Sequence, residues 1–236
     1  MKLSIIIPLY NEEKTVAAVL QKVVDVSLPK VTKEIIVVDD GSTDSSKFKI
    51  KNSKFKGIKF FSHKKNMGKG AAVRTGIKHA TGEYILIQDA DLEYDPKQIL
   101  QLVKPILESK AQVVYGTRLK RMPNISQDER TPLFLLHYFG NRFLSLITSI
   151  LYGQWLTDME TCYKLFPKRA VAKIRLNARG FEFEPEITAK LLKKKYSIVE
   201  VPIRTNPRGL QEGKKLNTVK DGSKALWALI KYRFVN

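Results

Sequence analysis

Short apolar runs alternate with amphipathic stretches along the first half of the chain. Leu3–Pro8, Glu34–Asp39, Ile58–Ser62, Tyr84–Gln88 and Gln112–Gly116 are brief, rich in Ile and Val and bounded by polar or Gly-containing segments, the pattern of strands. Between them, Glu12–Val26 sets Val16, Val19, Leu20, Val23 and Val24 at helical spacing. Ala71–Ala80 and Pro96–Glu108 have the same character, the latter opened by Asp95 as N-cap and Pro96 at the first helical position. Continuous apolar strands alternating with helices predict an α/β fold, a mainly parallel central sheet with helices on both faces. Ligands of such sheets sit beyond the carboxyl ends of the strands, and the acidic and Gly-rich segments fall there.

The second half is less regular. Residues 117–131 are polar and read as a mobile loop, as does 206–215. Leu133–Gly153 is apolar over roughly 20 residues, a length that suffices to span a bilayer. His137, Asn141, Ser145 and Thr148 nevertheless form one polar stripe along it, a pattern suited to lying on a surface; packing on the domain's own core is the competing reading. Thr161–Phe166 and Ile198–Ile203 read as further strands, with a helix over Pro185–Lys195. Thr218–Phe234 sets Leu226, Trp227, Ile230 and Phe234 on one face and Lys220, Lys224 and Lys231 on another.

Composition narrows the class. A chain of 236 residues with 43% hydrophobic content suits one domain with a sizeable core. Its single cysteine, Cys162, excludes an intrachain disulfide, fits a reducing compartment and reads as packing. The opening MKLSIIIPLY reads as a first strand and lacks the pattern of a signal peptide. A formal net charge of +19 calls for polyanions: nucleic acid, acidic headgroups or phosphorylated small molecules.

The chemistry concentrates in QDADLEYDP at 88–96. Asp89 and Asp91, two apart in extended backbone, project to one side at the mouth of the sheet. Such a pair is stable with a hard dication between its charges, Mg2+ or Mn2+, whose remaining ligands come from a diphosphate; Glu93 is a candidate third ligand. VVDDGSTD places Asp39 and Asp40 at another strand tip, suited to base N–H groups or ribose hydroxyls. Asp44 reads as a helix cap. Pro8, Tyr10, Asn11 and Glu12 lie beyond the first strand. Lys69, in the glycine-bracketed helix start NMGKGAAVRTG, suits a phosphate. Neither the phosphate-loop spacing nor G-x-G-x-x-G is present.

In order, IIIPLYNEE, VVDDGSTD, NMGKGAAVRTG, QDADLEYDP, YGTR, TDMETCYKLF, EFEPEI and EVPIRTNPR resemble the family 2 inverting glycosyltransferases of the GT-A fold. The likeness is closer to the branch of dolichol-phosphate mannose synthases and polyprenyl-phosphate hexosyltransferases. It implies a nucleoside pocket from Pro8, Tyr10, Glu12 and Asp39, with metal and diphosphate at Asp89 and Asp91. Glu93 stands where some relatives have Gln. The expected domain is 1–236, with a nucleotide-sugar-binding half at 1–116 and an acceptor and membrane-interface half at 117–236.

The implied reaction is hexose transfer from GDP-mannose or a UDP-hexose to a polyprenyl or dolichyl monophosphate. A lipid phosphate is already anionic near pH 7, so it needs cations more than a base. Arg118, Arg130 and Arg204 are the candidates to grip it, with Arg142 and Arg208 behind them. Asp91, Arg118, Asp158, Glu160 and Arg204 form the expected catalytic set; Asp158 or Glu160 becomes the leading base if the acceptor is a hydroxyl. His63, His79 and His137 show no metal spacing and read as structural.

The two greasy helices and the basic charge predict peripheral attachment to the cytoplasmic face of a membrane. With no transmembrane segment after the catalytic region, a small membrane-anchoring partner is a further candidate. The loops at 117–131 and 205–216 are the expected lids over the donor. Three rivals stand beside this reading. GTRLK at 116–120 superficially matches a sugar nucleotidyltransferase signature but follows the wrong strand. A basic nucleic-acid-binding domain would interleave aromatic and basic residues on one strand face, and no such module is seen; nucleic acid is not an expected partner. The third rival is transfer to a hydroxyl of a protein or polysaccharide.

Overall fold

The computed structural model describes residues 1–52, 55, 57–119, 132–206 and 218–235. The strands are β1 (Lys2–Leu9), β2 (Thr32–Asp39), β3 (Ile58–Ser62), β4 (Tyr84–Ile87), β5 (Val113–Thr117), β6 (Lys164–Pro167) and β7 (Ile198–Pro202). They form one seven-stranded sheet in the order β3-β2-β1-β4-β6-β5-β7. β1 pairs in parallel with β2 and β4, β2 with β3, and β5 with β7, whereas β6 runs antiparallel to both β4 and β5. β1 and β4 lie side by side although two strands separate them in sequence, so the strand order reverses there. The crevice beyond their carboxyl ends is where such a sheet binds its ligand.

The helices are α1 (Val16–Asp25), α2 (Ser46–Lys51), α3 (Lys69–His79), α4 (Ile99–Leu107), α5 (Pro132–Tyr152), α6 (Lys168–Val171), α7 (Phe183–Lys193) and α8 (Thr218–Phe234). Asp95 accepts from the backbone N–H of Lys97 and opens a 3-10 turn at Pro96–Gln98 that leads into α4. α6, four residues long, is an addition to the expected elements, and α2, six residues long, follows Asp44, the expected cap. The core joins β1, β2, β4, β5 and β6 to α1, α4 and α7, from Leu3 through to Ile203.

At the amino end of the sheet, Glu34 is an anchor. Its buried carboxylate accepts from Ser4 Oγ, Thr81 N and Oγ1, and Lys59 Nζ. Burial alone would raise its pKa, but the Lys59 ammonium and these donors prevail and bring it down to about 2. A carboxyl depressed on folding stabilises above its unfolded value, about 4.3, and that stability is lost as pH falls towards 2. Glu34→Gln is expected to lower stability at pH 7 by about 1–3 kcal/mol. The variant will also lack part of the wild-type decline in melting temperature between pH 4.5 and 2; parallel melting curves would contradict this.

α5 and α8 pack against each other and against α7. The polar stripe of α5 faces the protein: Ser145 and Thr148 are buried, and Ser145 Oγ accepts from Met159 N at 2.8 Å. Leu136, Phe139, Phe143, Leu146 and Ile150, on another face, are 43–69% exposed. α8 turns Ala225, Ala228, Leu229 and Tyr232 inward and leaves Trp227, Ile230 and Phe234 exposed. Among the described residues no helix is long and apolar enough to cross a membrane.

Candidate active site

The loop after β1 is held by that after β2. Asn11 takes a positive φ, which Asn tolerates, and its Oδ1 accepts from Thr43 N at 2.8 Å. Thr15 Oγ1 donates to Glu12 Oε2 at 2.9 Å and to Ala90 O at 3.0 Å, joining Glu12 to the loop that carries Asp89 and Asp91. Pro8 and Tyr10 are half-buried on the same rim. Asp39, buried at the tip of β2, accepts from Ser42 N and Ser62 Oγ. Asp44 accepts from Ser46 N at the start of α2 and from Glu13 N, in keeping with a capping role.

Asp40 is taken up by the protein itself. Its carboxylate accepts from Met67 N and Gly68 N and pairs with His63 Nδ1 at 2.6 Å. Asp39 ends β2 and Asp40 follows it, and their carboxylates serve different surroundings. The start of α3 is also tied to the protein's own backbone. Gly70 N and Ala71 N donate to the carbonyls of Gly180 and Arg179, so these first helical amides hold backbone in place of a phosphate. A Cβ would stand 2.3 Å from Arg179 O at Gly68 and 2.7 Å from Ala178 O at Gly70; close backbone approach explains both glycines.

Lys69 points at the acidic centre, its Nζ 2.9 Å from Asp89 Oδ1 and 3.2 Å from Glu184 Oε1. Glu184 also pairs with the fully buried Lys164 at 2.8 Å. Burial would raise Asp89, but Lys69, with help from Cys162 and Arg118, holds it below the usual carboxylate range. The loop itself is fixed from beneath: Tyr163 donates to the buried Gln88 at 2.6 Å, and Tyr94 Oη accepts from Cys162 N at 3.1 Å. Asp91 Oδ1 accepts from Glu93 N at 3.1 Å.

No group of three His, Cys, Asp or Glu side chains suited to a metal gathers among the described residues, so Asp89, Asp91 and Glu93 do not form the expected three-carboxylate cluster. The reason lies in the loop. Lys69 supplies a positive charge to Asp89, and Asp91 turns back on the amide of Glu93. Mg2+ and Mn2+ bind through one or two carboxylates with phosphate oxygens completing the shell, and the half-buried, all-oxygen pair Asp89 and Asp91 fits that requirement.

Asp158 and Arg118 form a closed unit. Asp158 is fully buried and receives Arg118 N at 2.9 Å, Nε at 2.7 Å and Nη2 at 2.7 Å. Arg118 also lies 5.9 Å over the Tyr94 ring. Glu200 holds the turn beneath by accepting from Thr157 N and Asp158 N. Glu160 differs. Its Oε1 is sealed from solvent without a hydrogen-bond partner among the described residues. Burial pushes its pKa up to about 7, with Lys164 and Arg118 pulling down and Glu184 and Asp158 pushing up. It lines a cavity of about 230 Å3 between α5 and α8.

Exposed Arg204 is placed beside the acidic loop by its backbone, which exchanges hydrogen bonds with Gln98, while Asn206 N donates to Glu93 O. Arg142 donates to Leu119 O. Arg130 and Arg208 lie outside the described residues, as do most of the two expected lid loops. Sequence reasoning missed Lys164, Glu184 and Glu200. A lysine inside the apolar run CYKLF was the available signal for the first.

Residues 4–175 match the family described as Glycosyl transferase family 2. The chain belongs to this family. Among its relatives, the UDP-N-acetylglucosamine–dolichyl-phosphate N-acetylglucosaminyltransferase of Methanococcus voltae is 33% identical over 224 residues, 85% of this chain and 84% of that one. The dolichyl-phosphate beta-glucosyltransferase of Trichomonas vaginalis is 33% identical over 86% of this chain, which spans 64% of that enzyme's length. Glucosyl-3-phosphoglycerate synthase of Mycobacterium tuberculosis, solved with Mn2+, UDP and glucosyl-3-phosphoglycerate, aligns over 100% of this family 2 chain and 81% of its own with a TM-score of 0.72 at 19% identity. That likeness bears out the expected GT-A type α/β fold.

Proposed function

We propose that this family 2 protein transfers a hexose, with inversion, from a nucleotide diphosphate sugar to a polyprenyl or dolichyl monophosphate at the cytoplasmic face of a membrane. The observation that carries the reading is the union of two environments. An acidic loop lies at the switch point of the sheet, and through Lys69, Glu184 and Lys164 it adjoins Glu160 and the cavity between α5 and α8. Relatives named for dolichyl-phosphate transfer support the acceptor class.

The nucleoside lies over Pro8, Tyr10, Glu12 and Asp39. A divalent cation held by Asp91 beside Asp89, as the Mn2+ in the mycobacterial structure suggests, would neutralise charge on the departing diphosphate. Arg118 has five N–H donors, and the side-chain pair facing Asp158 leaves others for a phosphate oxygen. Arg204 approaches from the β7 side. The exposed apolar rows of α5 and α8 enter the headgroup layer, and the net charge of +19 favours an anionic leaflet.

The test combines radiolabelled GDP-mannose, UDP-glucose and UDP-N-acetylglucosamine with polyprenyl phosphate and Mn2+ in detergent. Label in the lipid phase is expected from one donor; label only in free sugar overturns the reading. Phe139→Ser with Trp227→Ser is expected to abolish flotation with vesicles of anionic lipid, and undiminished flotation would contradict membrane attachment through these rows. A second reading, transfer to a hydroxyl, is favoured by Glu160, whose pKa of about 7 suits a general base.

A further inference from the structure

Most carboxylates near the acidic loop already have strong partners. Asp158 is clamped by Arg118, Glu184 by Lys69 and Lys164, and Glu200 by the amides of 157 and 158. Glu160 Oε1 is buried and has no such donor among the described residues. The side chain lies in the wall of the α5–α8 cavity with His137, Asn141 and Phe143 of α5 and Ser223 and Leu226 of α8. A carboxyl group in the wall of a mixed polar and greasy cavity, with one oxygen sealed and without a hydrogen-bond partner among the described residues, is placed to meet a ligand.

We propose that Glu160 is a positioning residue for the acceptor: its carboxyl group, carrying a proton, donates a hydrogen bond to an anionic oxygen of a phosphate monoester whose hydrocarbon tail leaves through the α5–α8 cavity. The inference rests on the polyprenyl-phosphate reading. Charge decides between donor and base here. A carboxylate facing a phosphate would set two anions together in a poorly hydrated space, whereas a carboxylic acid satisfies both groups. Burial already lifts Glu160 to about 7 in the free protein, and an anionic ligand lifts it further.

The groups that face it are Asp158 on its own loop, Arg118 after β5, Lys164 of β6, Glu184 of α7, and, across the cavity, His137 of α5 and Asp221 of α8. Because binding favours the protonated form, acceptor affinity is fully present below the free-protein pKa. It falls up to about tenfold per pH unit above it. His137 lines the same cavity and is itself titratable, so variants at Glu160 must separate the two.

The experiment measures KM for farnesyl phosphate from pH 6 to 9 with the whole chain, saturating donor and Mn2+. Wild-type KM is expected to rise by roughly tenfold per pH unit above 7. Glu160→Gln, a donor at every pH, is expected to flatten that rise, and Glu160→Ala to raise KM at pH 6.5 while kcat changes much less. Persistence of the rise in Glu160→Gln would assign it to another group and overturn the proposal. A wild-type KM independent of pH would do the same. Loss of kcat by orders of magnitude in Glu160→Gln would make the residue a base instead. No transfer to farnesyl phosphate by the wild type at any pH overturns the polyprenyl-phosphate reading, and this inference with it; transfer without the pH dependence overturns this inference alone.

Discussion

Asp91→Asn will reduce kcat for sugar transfer by about a thousandfold or more while leaving the fold intact. Asparagine keeps an oxygen for the amide of Glu93, the 3.1 Å bond that shapes the loop, and occupies the same space. What it loses is the negative charge proposed to hold a dication beside the diphosphate. Metal stabilisation of a leaving group is worth several kcal/mol, and about 4 kcal/mol corresponds to roughly a thousandfold in rate. The checks are steady-state turnover and a melting curve. A variant that melts with the wild type and turns over normally would remove Asp91 from the chemistry.

Asp158→Ala will be severely destabilising. Three donors of Arg118 converge on this fully buried carboxylate, and its removal strands a guanidinium that is itself largely enclosed. Breaking a buried pair on one side costs about 3–5 kcal/mol, a large part of a total near 5–15 kcal/mol. For a chain of this size that is a fall of roughly 6–20 °C in melting temperature. Arg118→Met combined with Asp158→Ala will recover part of the loss, since the stranded charge is gone. A shift below about 2 °C in the single variant would mean that the pair does not hold the turn in place.

The strands were legible because their apolar runs are continuous and short, and β3 has the expected bounds. The direction of β6 was not, because a buried strand carries the same residues whichever way it runs. α2, SKFKIK, alternates charged and apolar residues with a period nearer two than 3.6, so its cap at Asp44 was legible but not its extent. In the site, Asp89 and Asp91 fell at a strand end as expected, whereas Asp39 and Asp40 are chemically alike and only the structure separates their tasks. The glycines of NMGKG permit either a phosphate or another backbone to come close, and here Ala178 and Arg179 do so. The polar stripe of α5 was read correctly as a stripe, but periodicity cannot say which side faces inward.

In the proposed reaction Asp91 would hold a dication beside the donor's diphosphate. Anomalous diffraction from crystals grown with Mn2+ and the preferred nucleotide diphosphate tests it most directly. The expected result is a manganese peak about 2.1 Å from an Asp91 carboxylate oxygen and from the diphosphate. A well-ordered diphosphate with no manganese beside Asp91 would contradict the account.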